Sequence, residues 1–208
     1  MEIRNGMEMQ MQQDERIIYL SGDIETSNVA QVCEKLLNII SFDSKMADVL
    51  RNYELKPIHL NVQSFGGSVH DMWSLIDIIE SSTTPIITYC NGYCMSAAAM
   101  IFLAGHYRVM YKHSSFMLHQ LWSFIGGKVK DLSLETENIE NLHKQMLKYI
   151  KKHTNLPKKL LKKIDGKKED VYLTAKECKK YGICDSIAEN SGLRKIMLDT
   201  IKEQEELD

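Results

Sequence analysis

Twice in this chain a short apolar run ends in a glycine-bearing turn and passes directly into a helix-forming run. That repetition constrains the fold more than any other feature. Ile58 to Val62 leads through Gln63-Ser64-Phe65-Gly66-Gly67 into a helical stretch from about Ser68 to Ser81. Ile86 to Cys90, bounded by Pro85, leads through Asn91-Gly92 into Met95-Ser96-Ala97-Ala98-Ala99-Met100-Ile101-Phe102-Leu103, which stops at Gly105. Strands alternating with helices in this way predict an α/β fold on a parallel sheet, with both turns at its carboxyl edge.

The residues at those turns suggest chemistry. Ser96 sits at or just inside the start of an otherwise apolar helix and is flanked by small side chains that leave its oxygen open. The Ala97 amide falls in the first turn, where N–H groups lack intrahelical partners and the helix dipole favours an anion. Adjacent glycines permit positive φ, and the Gly67 amide can point at a ligand. A hydroxyl with two converging backbone donors suits acyl transfer. Structural readings stand beside this one: Ser96 as a helix cap or packing residue, and Gly66-Gly67 as a turn only. Cys94, two residues earlier, is a rival nucleophile. A phosphate loop is disfavoured, because neither GxGxxG nor GxxxxGK[ST] occurs.

With 208 residues, 44% of them apolar and 26% charged, the chain is long enough for one well-filled core. A net charge of −2 gives no overall signature of nucleic-acid or membrane binding. No run approaches the roughly 18 apolar residues of a membrane span, and the first residues lack the apolar segment of a signal peptide. The five cysteines form no paired CxxC units, so reduced thiols in a cytoplasm are the default and no metal site is expected.

The remaining chain reads as one domain over 16–193, with a flexible segment at 1–15 and a charged tail, helical or disordered, at 194–208. Arg16 to Gly22 is a strand and turn. A helix follows from about Thr26, with Val29, Val32, Leu36 and Ile40 at helical spacing. Residues 41–56 read as a polar insertion holding a short helix. Tyr107–Tyr111 and Ser115–Leu118 are strand-like, and the second ends at His119, alone among the seven histidines in standing where a side chain can enter a cleft. A loop at 122–127 precedes a long helix over 129–153. A short basic helix starts at Pro157, its lysines read as a solvated face. Thr174-Ala-Lys-Glu177 is a capping box opening the next helix, and Cys184 to Ile187 is a last strand. Asp165, Asp170 and Asp185 all lie where an acid partner for His119 could come from.

Ser96, His119 and Asp170, in that order along an alternating β/α chain, resemble the catalytic residues of the Clp-type serine protease subunit (the ClpP family). The similarity runs from about Arg16 to Ala188 and rests on QSFGGSV, FMLHQ and EDVYLTAKECKKYGICDSI together with the spacing from Gly67 to Ser96. It implies a ClpP/crotonase-like fold with repeated ββα units, a parallel sheet and a protruding handle helix, here residues 129–153. It implies Ser96 as nucleophile, His119 as general base and then acid, Asp170 as the group orienting the imidazole, and the amides of Gly67 and Ala97 as the oxyanion hole. It implies two stacked seven-membered rings, an AAA+ ATPase that unfolds and feeds peptide and protein substrates, and no cofactor on this chain, ATP being used by the partner. Among other classes, crotonase-type acyl-CoA enzymes have no need of the Ser–His–Asp set. A phage-type maturation protease and an inactive scaffolding subunit are the nearer alternatives.

The chain also departs from the family. Phe65 and Leu121 stand where proline is usual, Ala97 and Ala98 where Met and Gly are common, and Glu169 where a basic residue often joins the rings. Positions that usually form the apolar docking pocket for the ATPase fall on His59, Asn61, Ser81, Tyr89 and Asn91. This predicts weak docking unless Met72, Trp73 or Leu118 rebuild the pocket.

Overall fold

In the computed structural model of the chain, which describes residues 16–124, 126–167 and 169–188, the two strand–turn–helix units lie side by side. They are preceded by β1 (Ile17–Ser21) and α1 (Thr26–Val49), and the first of them is β2 (Ile58–Ser64) with α2 (Val69–Ser81). Next come β3 (Ile86–Met95), α3 (Ala97–Leu103), β4 (Tyr107–Tyr111) and β5 (Ser115–Leu118). The chain continues through α4 (Val129–His153), α5 (Lys158–Asp165), β6 (Val171–Thr174), α6 (Ala175–Lys180) and β7 (Ser186–Ala188). The expected segments 1–15 and 194–208 lie outside the described residues.

The main sheet runs β1-β2-β3-β4-β7, and all of these neighbours are parallel. β3 is longer than its apolar run implies. The strand does not stop at Cys90 with a turn at Asn91-Gly92; it carries on through that pair to Met95. Gly92, at φ 80°, is a kink inside the strand, and its amide donates to Ser114 Oγ at 3.0 Å. An isolated glycine within a strand pattern commonly marks such an irregularity. The consequence is a division of labour along β3. Residues 87–90 pair with β4, and residues 93–95 pair with β5. β6 then adds to β5 antiparallel.

Leu60 and Val62 on one sheet face pack with Met72, Leu75 and Ile79 of α2 and with Phe102 of α3 in one core. Every residue of α3 is buried, as befits a helix that is apolar all round. α4 is different. Met146, Leu147, Tyr149 and Ile150 pack at its C-terminal half, whereas Val129 and Leu134 are exposed, so the first turns project as a handle.

The insertion at 41–56 also needs correcting. Its first nine residues hold no separate short helix; they continue α1 without a break to Val49. The reason lies in Asp43, which is fully buried. Its carboxylate accepts from Arg16 at 2.5 and 3.0 Å, from the Tyr53 hydroxyl at 2.6 Å and from Thr84 Oγ1 at 2.8 Å. Arg16 also donates to the Lys56 carbonyl at 2.8 Å. Helix, following loop and the start of β1 are thereby joined at one anion. Burial opposes ionisation of Asp43, but the hydrogen bonds from Arg16, Tyr53 and Thr84 outweigh it and hold the carboxyl below its ordinary range.

Removing one partner of a buried ion pair costs about 3–5 kcal/mol. For a chain of this size that corresponds to a fall in Tm of about 10 °C. Asp43→Asn is expected to show that fall at pH 7 by calorimetry. A depressed pKa contributes stability that is fully present above the unfolded value, near pH 4, and is lost as pH falls through the folded value. The deficit of Asp43→Asn should therefore shrink on acidification below about pH 4. A deficit unchanged down to the acid limit would contradict the assignment.

Candidate active site

Ser96 lies where β3 gives way to α3, and the junction is sharp. Its φ of 53° and ψ of −124° make it the only non-glycine residue with positive φ among the described residues. Such backbone costs about 1–3 kcal/mol and persists only where its surroundings over-determine it. Here the strand side is pinned by the Ser96 amide, which donates to the Met117 carbonyl on β5 at 2.9 Å. The helix side is pinned by the Ala99 and Met100 amides, which donate to the Ser96 carbonyl at 3.0 and 3.3 Å. Ser96 is thus no conventional cap, since its hydroxyl makes no capping hydrogen bond. The hydroxyl is turned instead to His119, whose Nε2 stands 2.7 Å from Ser96 Oγ. β5 makes this possible: it pairs with β3 as far as Met95–Met117, so both chains leave the ladder together.

The glycine pair is the third part. A Cβ on Gly66 would lie 2.7 Å from Ser96 Cβ and 3.1 Å from the Ala97 nitrogen. A Cβ on Gly67 would lie 2.3 Å from the Ile24 carbonyl oxygen. Only glycine lets this turn press against the serine on one side and Ile24 on the other. Ile24 holds it from outside, its amide donating to the Gly66 carbonyl at 2.8 Å and its carbonyl accepting from Ser68 at 2.7 Å. Among the described residues neither the Gly67 nor the Ala97 amide donates a hydrogen bond, so both remain available to a ligand oxygen.

The β5–β6 ladder ends with Leu118 paired to Val171. His119 follows its last residue on one strand and the expected acid, Asp170, precedes its first on the other. The Asp170 side chain is exposed, and among the described residues its carboxylate makes no hydrogen bond to the ring. The other two candidates are engaged elsewhere. Asp185 takes the Arg108 guanidinium in two bonds of 2.9 Å and the Arg108 amide at 2.8 Å. Burial opposes its ionisation, but Arg108 holds its carboxyl below the ordinary range. Asp165 faces His143 at 3.4 Å, between α5 and α4.

Cys94 is not a rival to Ser96. It is fully buried, its thiol is directed at the Val62 carbonyl at 3.3 Å, and burial next to Cys90 pushes its pKa well up. A thiol so placed is inert. Gly66, Ile24 and Met117 are site-forming residues that the sequence reading did not single out for their own roles. Adjacent glycines were a signal for the first, whereas nothing local marks Ile24 or Met117, which act through backbone atoms.

The positions expected from the resemblance to form a docking pocket have other neighbours. Asn61 pairs with Tyr89 across β2 and β3, and His59 Nδ1 is 2.8 Å from the Tyr89 hydroxyl. Burial pushes the His59 imidazole down, favouring its neutral form. Ser81 donates to the Asp77 carbonyl in the last turn of α2. Met72 and Leu118 are buried in the core, whereas Trp73 is partly exposed and stands edge-on to Tyr149. A surface cavity of about 860 Å³ opens beside Asn91, Tyr111, Lys112, His113 and Ala188 and includes neither Ser96 nor His119.

A hydroxyl on a strained strand-to-helix turn, an imidazole within hydrogen-bond reach and two free amides beside it define a serine hydrolase centre on an α/β sheet. The Clp protease family model matches residues 4–191. Three proteins named ATP-dependent Clp protease proteolytic subunit, numbered 1 in the first two, are similar. The protein of Rhodopirellula baltica is 26% identical, over 84% of this chain and 72% of its own length. That of Rhodococcus jostii is 29% identical, over 85% and 76% respectively. The Borreliella afzelii protein is 29% identical over 83% of each. A solved structure of a ClpP1 mutant from Listeria monocytogenes superposes with a TM-score of 0.72, covering 87% of this chain and 95% of that one at 23% identity, which shows the shared fold. The chain belongs to the Clp protease family and is a Clp-type serine protease.

Proposed function

We propose that this chain is the proteolytic subunit of an ATP-dependent Clp protease, cutting peptide bonds through Ser96, His119 and Asp170. The observation that carries the reading is the 2.7 Å contact between His119 Nε2 and Ser96 Oγ on a strained turn. His119 Nε2 takes the Ser96 proton as the oxygen attacks the scissile carbonyl. The carbonyl oxygen, now an anion, moves towards the Gly67 and Ala97 amides, which stabilise it without reorganising. His119 then gives the proton to the leaving amine, and water, deprotonated by the same imidazole, releases the acyl group. Asp170, next to the end of the β5–β6 ladder that leads into His119, holds the ring with Nδ1–H directed away from Ser96 and stabilises the imidazolium. No cofactor on this chain enters these steps; ATP is consumed by an AAA+ partner.

Two stacked heptameric rings in the cytoplasm, with the catalytic centres inside, complete the reading. Enclosure separates the centre from folded proteins. The exposed first turns of α4 are where the rings would meet. No helix among the described residues is long and apolar enough to cross a membrane. The polar character of His59, Asn61 and Asn91 points to a partner whose docking loops differ from the usual apolar ones.

The test is to separate the native particles by mass and assay each fraction with a fluorogenic peptide. Peptidase activity should travel with an assembly of fourteen copies of the 24.0 kDa chain, or with seven where the rings have parted. Full activity in a monomer would overturn the ring reading, and no activity in any fraction would overturn the peptidase reading.

A further inference from the structure

The chain has seven Phe and Trp residues, and the three most exposed all lie within five residues of the catalytic centre's own parts. Trp122 and Phe124 follow His119, with 79% and 87% of their surfaces open. Phe65, 63% open, immediately precedes Gly66, the residue whose Cβ direction meets Ser96. Phe65 differs from the other two in being braced. Its ring is stacked on Tyr93 with centroids 4.2 Å apart and planes at 22°. Tyr93 is itself held in the ladder opposite Ser115 on β5, the strand that leads to His119. One face of the Phe65 ring is therefore covered by a fixed partner. The other face stays open a single residue from the glycine that touches the nucleophile. A rigid ring with one free face is suited to another planar ring, which adds stacking to the apolar area it covers.

We infer that Phe65, backed by Tyr93, is a specificity-determining residue: it stacks on the side chain of the substrate residue next to the scissile bond and favours Phe, Tyr and Trp there. The inference rests on the peptidase reading above. Ring orientation does the selecting, so Tyr or Trp at position 65 preserves the preference, while a branched aliphatic chain of similar area does not. A well-matched apolar contact of this kind discriminates by about 10-fold or more in kcat/KM.

The experiment uses the assembled particle and two peptides that differ only in having Phe or Ala beside the cut bond, with cleavage sites in an unfolded protein mapped by mass spectrometry. The wild type should show a Phe/Ala ratio in kcat/KM of about 10 or more, with mapped sites enriched in neighbouring aromatics. Phe65→Ala and Phe65→Leu should each lower that ratio by about tenfold, and Phe65→Trp should restore it. A wild type that cuts both peptides equally, or a Phe65→Ala particle that keeps the ratio, overturns the inference and leaves the peptidase reading standing. A wild type that cuts no peptide overturns the peptidase reading and this inference with it.

Discussion

Ser96→Ala in assembled particles should lower peptide turnover by about 10⁴- to 10⁶-fold, the loss that follows removal of a triad nucleophile. Partial loss is not expected, because among the described residues the hydroxyl hydrogen-bonded to His119 is that of Ser96. Cys94, the nearest thiol, is buried against the Val62 carbonyl with its pKa pushed well up. Its own replacement, Cys94→Ala, should leave most turnover intact in particles that assemble. The Ser96 backbone complicates only the stability readout. Its φ of 53° is unfavourable to alanine as well, so Ser96→Ala should fold much as the parent does. Retention of more than a tenth of the parent rate would show that the attacking group lies elsewhere.

Asp170→Asn should cost about 10⁴-fold in kcat, since an amide there stabilises the wrong imidazole tautomer and cannot support its charged form. The comparison is with Asp185→Asn. Asp185 holds Arg108 through a bidentate pair and accepts a backbone amide, tying β7 to β4. Its loss should appear in Tm and in assembly, with kcat largely kept in the particles that form. The opposite ranking, with the larger catalytic loss in well-assembled Asp185→Asn, would move the acid from Asp170 to Asp185.

Much of the centre was legible in the sequence because its parts are local. Ser96 stands at a helix start among small residues, and His119 at the end of an apolar run. Gly66-Gly67 declares a close approach before the approached atoms are known. What was not legible depends on contacts across the sheet. The continuation of β3 past Asn91-Gly92 is decided by Ser114 and β5, which lie more than twenty residues on. The positive φ of Ser96 arises because Met117 holds its amide while α3 begins at once. Three aspartates near the C-terminus cannot be separated by pattern alone; Asp185 is taken up by Arg108 and Asp165 faces His143, while Asp170 borders the β5–β6 ladder that ends one residue before His119. The polar stretch after Ile40 misled for a related reason. Asp43 looks solvated in sequence, yet it is buried by partners at positions 16, 53 and 84.

The most direct test is covalent labelling of the native particle with a fluorophosphonate, followed by intact-mass and peptide-level mass spectrometry. One adduct per chain is predicted, on Ser96 Oγ, with loss of peptide hydrolysis in proportion to labelling. His119→Ala should slow the labelling sharply, because the base 2.7 Å from the hydroxyl is gone. A particle that cleaves peptides but carries its adduct on another residue, or stays unlabelled, would contradict the assignment of Ser96 and His119 as the reacting pair.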